Sequence, residues 1–117
     1  MAPKKNTIDY IEFPLIKNAE TKKFYTDVFG WQFTDYGPDY IGFSGAGING
    51  GFNGTENTPA NAPGTLAVLY AENLEGTEEK VRKASGKIVK PVFSFPGGRR
   101  FHFQDPNGNE LAVWSDK

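Results

Sequence analysis

The chain contains no cysteine, which removes a disulfide framework, a thiolate metal site and a thiol nucleophile in one stroke. It has a single histidine, His102, so any step that needs imidazole near neutrality has one place to occur. It has no excess of either charge: 13 Lys and Arg stand against 14 Asp and Glu, a net −1. That balance gives no electrostatic footprint for nucleic acid or an anionic membrane, and neither is expected as a partner. No apolar run reaches the roughly 18 residues of a membrane span. Met1-Ala2-Pro3-Lys4-Lys5 does not read as a secretory leader, so the expected location is cytoplasmic, and the sequon-like Asn53-Gly54-Thr55 reads as a bare turn.

What is present is aromatic. With 117 residues the chain fits one domain, 1–117, and its 10 Phe and 5 Tyr are heavy for that size, which points to cores and pockets. The most informative stretch is Phe101 to Trp114. Two alternating runs, FHFQ and ELAVW, flank DPNGN, where Asp bonds its own backbone, Pro fixes φ and Asn-Gly tolerates positive φ; this predicts a hairpin. Phe101, Phe103, Leu111 and Val113 fall on one face of it, and Arg100, His102, Gln104, Ala112 and Trp114 on the other. The second face is mixed, as the lining of a cavity would be.

Taken in order, Thr7 to Leu15 alternates as a strand with Tyr10 and Glu12 on its polar side. Asn18 is a candidate N-cap for a helix through Thr21, Phe24, Tyr25 and Val28 that stops at Gly30. Strands follow at Trp31–Tyr36, Tyr40–Ser44 and, weakly, Ile48–Phe52. Residues 54–64 (GTENTPANAPG) read as a linker. The order then repeats: a strand at Leu66–Ala71, a helix opened by Glu72 or Asn73 and closed by Gly86, a strand at Lys87–Phe95 pushed toward an edge by Pro91, and the hairpin. Asn18 and Asn73, Glu20 and Glu75, and Gly30 and Gly86 stand 55 to 56 residues apart, which predicts a duplicated βαβββ unit, 7–53 and 65–116. The fold class is α+β, with each sheet covered on one side by its helix and the bare sides arranged around a shared cup.

With these motifs in order, the chain resembles the glyoxalase/bleomycin-resistance/dioxygenase family, the vicinal oxygen chelate superfamily. The resemblance is carried by the helix Phe24-Tyr25-Thr26-Asp27-Val28-Phe29-Gly30-Trp31 and by the Asp105-Pro106-Asn107-Gly108-Asn109 loop, and it covers residues 7 to 115. It implies a homodimer, in some members with units exchanged, and a divalent metal held by His, Glu or Gln from the first and last strands of each unit. In this sequence those positions fall on Tyr10, Leu66, Ala112 and the Gly50-Gly51-Phe52 run, none of which offers a good donor. The resemblance therefore comes with no metal and no other cofactor expected.

The remaining candidates divide by chemistry. His102 reads as a polar residue of the sheet, a ligand contact or a proton carrier. Glu12 reads either as a solvated carboxylate or as a buried one of raised pKa. Arg99-Arg100 offers a guanidinium fork for an anion, or plain surface charge. Gly45-Ala46-Gly47-Ile48-Asn49-Gly50 satisfies G-x-G-x-x-G, but nothing after it builds the helix a dinucleotide needs, so it reads as a Gly-rich turn and a bulged edge strand. No serine sits in a nucleophile elbow. The expected function is a glyoxalase-like protein binding a small aromatic or amphipathic molecule in an apolar cup lined by Tyr10, Glu12, Leu66, Tyr70, Arg100, His102, Ala112 and Trp114. The alternative is a glyoxalase-type lyase, isomerase or dioxygenase with a non-standard metal site that uses Glu12 and His102.

Overall fold

Alternating apolar residues give each strand one face to bury, and in both halves a helix supplies the partner for that face. The computed structural model of the chain describes residues 5–6, 8–55 and 65–117; the expected strand start at Thr7 and most of the expected linker, 56–64, lie outside them. The chain divides into two compact units, Met1–Pro59 and Ala60–Lys117. No helix among the described residues is long and apolar enough to cross a membrane.

The first unit comprises β1 (Tyr10–Pro14), α1 (Asn18–Phe29), β2 (Gln32–Asp35), β3 (Tyr40–Ser44) and β4 (Asn49–Asn53). Its sheet runs in the order β1-β4-β3-β2, with β1 parallel to β4 and the other pairs antiparallel. The expected cap needs correction. Lys17 is the N-cap, and Asn18 lies inside the helix, donating its side-chain amide to the Pro38 carbonyl at 3.0 Å. A partner in the β2–β3 turn thus outcompetes the local helix end for that amide. Gly30 ends α1 as expected: at φ 74 its N–H bonds Thr26 O, and Trp31 N–H bonds Tyr25 O.

Trp31 belongs to the core rather than to β2. Its ring stacks at 4.5 Å on Tyr25 and 4.6 Å on Phe43. Phe52 has no exposed surface and lies 5.2 Å from both Phe13 and Tyr25. Phe33, half-buried, adds a contact to Phe52 at 6.3 Å. The aromatic surplus that suggested a pocket therefore largely fills the first unit's core. Gly50 belongs to the same packing, since a Cβ there would sit 2.1 Å from the Ile11 carbonyl and 2.5 Å from the Phe43 ring.

The second unit comprises β5 (Ala67–Tyr70), α2 (Leu74–Lys83), β6 (Lys87–Phe95), β7 (Gly98–Gln104) and β8 (Glu110–Ser115). Its order, β5-β8-β7-β6, and its parallel first pair repeat the first unit. Asn73 caps α2 by accepting from Gly76 N–H at 3.0 Å. The C-terminal end differs from expectation. Ser85, not Gly86, takes the left-handed conformation at φ 71, so that Ser85 N–H reaches Arg82 O and Gly86 N–H reaches Val81 O. β6 is an edge strand, as Pro91 implied, and its register slips between Ile88 and Lys90 and again between Lys90 and Phe93.

The hairpin forms as read. Phe101, Phe103, Leu111 and Val113 are fully buried on the face toward α2. Gly108, at φ 89, returns its N–H to the Asp105 carbonyl.

Candidate functional site

The face of the second sheet opposite α2 holds a continuous aromatic and cationic cluster. Trp114 on β8 packs edge-on against Tyr70 of β5 at 5.2 Å and lies 6.4 Å from Phe95 of β6. The Arg100 guanidinium carbon lies 5.5 Å from the Phe93 ring centre and 5.6 Å from that of Phe95. His102, two residues along the same strand face, lies 5.7 Å from Phe93. Tyr70 donates to Asp116 at 2.7 Å, which raises the phenol's pKa and lowers that of the carboxyl.

His102 is not a surface residue of the sheet: it is 4 % exposed, and Glu110 Oε2 lies 2.9 Å from its Nδ1. Glu110 accepts, so Nδ1 carries a proton and Nε2 is the ring nitrogen turned away from Glu110. His102 Nε2 and Arg100 Nε are buried and have no hydrogen-bond partner among the described residues. Arg99 points elsewhere. It binds the Glu75 carboxylate and the Lys117 carbonyl, so of the expected Arg99-Arg100 pair only Arg100 belongs to this face. Ala112 shares the face but is fully buried, and Leu66 stands half-buried one residue before β5.

Tyr10 and Glu12 lie on the first unit's sheet, in a hydrogen-bonded group of their own. Tyr40 donates to Glu12 Oε2 at 2.9 Å, Asn53 Nδ2 donates to Oε1 at 3.1 Å, and the Tyr10 and Tyr40 hydroxyls are 2.6 Å apart. Because Tyr40 spends its proton on Glu12, Tyr10 donates to Tyr40, and the chain of donors ends on the carboxylate. Glu12 is exposed, which corrects the reading of it as a buried carboxylate. Tyr40 reaches β1 only by lying across β4 at Gly51, where a Cβ would stand 2.3 Å from the Tyr40 hydroxyl. Burial first, then the bonds to Tyr10 and Glu12, push the Tyr40 phenol well above its ordinary value of 10.0.

Tyr40 is therefore expected to remain protonated at pH 10, where an ordinary tyrosine is half ionised. A raised folded-state pKa means that its contribution to stability is intact below about pH 10 and is lost as pH rises beyond it. In Gly51→Ala the ring is displaced, and its titration, followed by the Cζ resonance of labelled tyrosine, should return toward 10. An unchanged high titration in Gly51→Ala would show that the crossing over Gly51 does not hold Tyr40.

Sequence reasoning missed Glu110, Phe93, Phe95 and Asn53. Glu110 was legible, since it shares parity with Ala112 and Trp114. Phe93 was not, because it reaches the face of Lys90 only through the register slip in β6. Asn53 Oδ1 accepts from Thr55 N–H at 2.8 Å and from its hydroxyl at 2.6 Å, so the sequon-like triplet is a turn. Gly45 and Gly47, at φ 84 and 89, form the turn expected of the G-x-G-x-x-G run, but Asn49 and Gly50 begin β4, which pairs with β1 and β3 on its two sides and so is not the edge strand expected. No group of three or more His, Cys, Asp or Glu able to hold a metal occurs among the described residues.

Comparison with known proteins agrees with the duplicated topology. The chain is 24% identical over 120 residues to "Putative glyoxylase CFP32" of Mycobacterium bovis and of Mycobacterium tuberculosis, matching 95% of this chain but spanning only 46% of those proteins. A glyoxalase/bleomycin resistance protein/dioxygenase family enzyme from Burkholderia phytofirmans superposes with a TM-score of 0.80 at 15% identity, over 93% of this chain and 98% of that one. Lactoylglutathione lyase from Agrobacterium tumefaciens superposes at 0.70 with 17% identity, over 94% and 93%. At these identities the structural matches speak for the fold alone. The family model for the Glyoxalase/Bleomycin resistance protein/Dioxygenase superfamily matches residues 7–113, and the chain belongs to that superfamily.

Proposed function

We propose that this chain is a small-molecule-binding member of its superfamily, holding an aromatic or amphipathic ligand against the face of the second sheet formed by Tyr70, Phe93, Phe95, Arg100, His102 and Trp114. The observation that carries this reading is the guanidinium of Arg100 set against two phenylalanine rings and continued by Trp114 and Tyr70. Such a face offers stacking area together with a few unsaturated polar atoms, the usual composition of a small-molecule site. Tyr70 is 49% exposed and Val68 44%, so the face is open along β5.

The superfamily's metal does not fit these residues. Tyr10, Leu66, Ala112 and the Gly50–Phe52 run, the positions the family would use, carry no imidazole or carboxylate. Both oxygens of Glu12 already accept hydrogen bonds, and although Glu110 on Nδ1 would suit a metal-bound imidazole, the described residues bring no group of three His, Cys, Asp or Glu together to complete a site around His102 Nε2. The reading is thus of stacking and hydrogen bonding, with no step assigned to a metal. A homodimer goes with it, since each sheet ends on two edge strands, β1 and β2 in one and β5 and β6 in the other; light scattering at micromolar concentration that gave a monomer would remove that part.

Calorimetric titration with 2-naphthol, a planar neutral probe, tests the reading. Trp114→Ala should weaken binding by about 1 kcal/mol or more through lost contact area. Its stability should fall by clearly less than the roughly 3–5 kcal/mol typical of an aromatic core truncation. A core-sized destabilisation with unchanged affinity would instead make Trp114 part of the packing and contradict the proposal.

A further inference from the structure

The aromatic face carries more than stacking area. Arg100 Nε and His102 Nε2 are both desolvated and lack a partner among the described residues, a state that buried polar groups rarely tolerate unless a ligand or solvent completes them. The rings of Phe93 and Phe95 near the guanidinium carry no nitrogen or oxygen acceptor, so their contact leaves the Arg100 Nε–H without a conventional hydrogen bond. Among the described residues no carboxylate forms an ion pair with Arg100, although Arg99 beside it has Glu75, and Arg82 has Glu78. A positive charge left in this way calls for an anion. Two positions away, His102 presents the complementary atom: with a proton on Nδ1 held by Glu110, Nε2 is an acceptor in the uncharged form of the ring. Neighbours of this kind on one strand face stand roughly 7 Å apart at Cα, a span that one substituted aromatic ring covers.

Resting on the aromatic-face reading, we propose that the ligand is a hydroxy-substituted aromatic carboxylate, its carboxylate accepting from Arg100 Nε–H and its hydroxyl donating to His102 Nε2. Glu110 is then a positioning residue that sets the imidazole tautomer.

Calorimetry with 2-naphthol, 2-naphthoate and 6-hydroxy-2-naphthoate, whose hydroxyl and carboxylate stand at opposite ends of the ring system, separates the terms. In the unaltered chain 6-hydroxy-2-naphthoate should bind about tenfold or more tighter than 2-naphthol, which shares its hydroxyl, as one charge-assisted bond implies, and also tighter than 2-naphthoate, which shares its carboxylate. Arg100→Gln should erase the carboxylate's advantage, and Arg100→Lys, which keeps the charge but has no Nε–H edge, should retain only part of it. His102→Phe should erase the hydroxyl's advantage and leave the other ratio intact. Arg99→Gln, on the opposite face, should change neither ratio. If 2-naphthol and 6-hydroxy-2-naphthoate bind equally well, or the preference survives Arg100→Gln, the carboxylate assignment is overturned while the aromatic face stands. If none of the three binds, both readings fall. Should an Arg100 variant not fold, the ranking of the three probes in the unaltered chain still decides.

Discussion

Replacing Phe52 by alanine should destabilise the protein by about 3–5 kcal/mol and lower its melting temperature on the order of 15 °C. The ring has no exposed surface and is surrounded by Phe13, Tyr25, Phe43 and Phe33 at 5.2 to 6.3 Å between centroids. Four aromatic neighbours that are themselves packed cannot collapse into the space it leaves, so the cavity term adds to the lost transfer energy. Urea unfolding measures this directly. A loss below about 1 kcal/mol would mean that the first unit's aromatic core is far more plastic than its packing implies.

The second large effect lies in the hairpin loop. Asp105, 5% exposed, accepts the backbone N–H groups of Asn107 and Asn109 on Oδ1 at 2.9 and 2.8 Å. Its Oδ2 accepts both asparagine amides at 3.3 and 3.2 Å. Asp105→Ala removes this acceptor from four donors of two buried asparagines, and the expected cost is on the order of 3 kcal/mol. Asp105→Asn keeps one oxygen and should lose less. Because the loop fixes β7 against β8, it also fixes His102 against Glu110 and Arg100 against Trp114, so probe affinity should fall in Asp105→Ala even where the protein remains folded. Equal stability of Asp105→Ala and the unaltered chain would show that the loop's own turn residues suffice.

Much of this was legible from the residues because strand periodicity is strict. The alternation of FHFQ and ELAVW placed Arg100, His102 and Trp114 on one face and the four buried residues on the other, and the structure agrees at every one of those positions. The helix landmarks were legible too, although Asn18 and Asn73, which look equivalent, are not: one lies within its helix and the other caps it. What escaped had physical causes. The register slips in β6 shift Phe93 against the parity of Lys90, so counting by twos could not place it beside Arg100. Tyr40 and Asn53 reach Glu12 across 28 and 41 residues of chain, because β4 inserts between β1 and β3 and Gly51 leaves room for a ring to cross. The aromatic count could not say which rings were core, and it overstated the pocket by those that fill the first unit.

The central claim is that the aromatic face of the second sheet holds the ligand, and the Trp114 indole is its most direct reporter. In Trp31→Phe protein Trp114 is the sole indole, because the chain has two tryptophans. Addition of 2-naphthoate, followed in ¹H–¹⁵N spectra, should shift the Trp114 Nε1–H signal and the His102 ring signals together along one saturable curve. A saturable curve that leaves Trp114 and His102 unmoved while shifting signals elsewhere would contradict the assignment of this face.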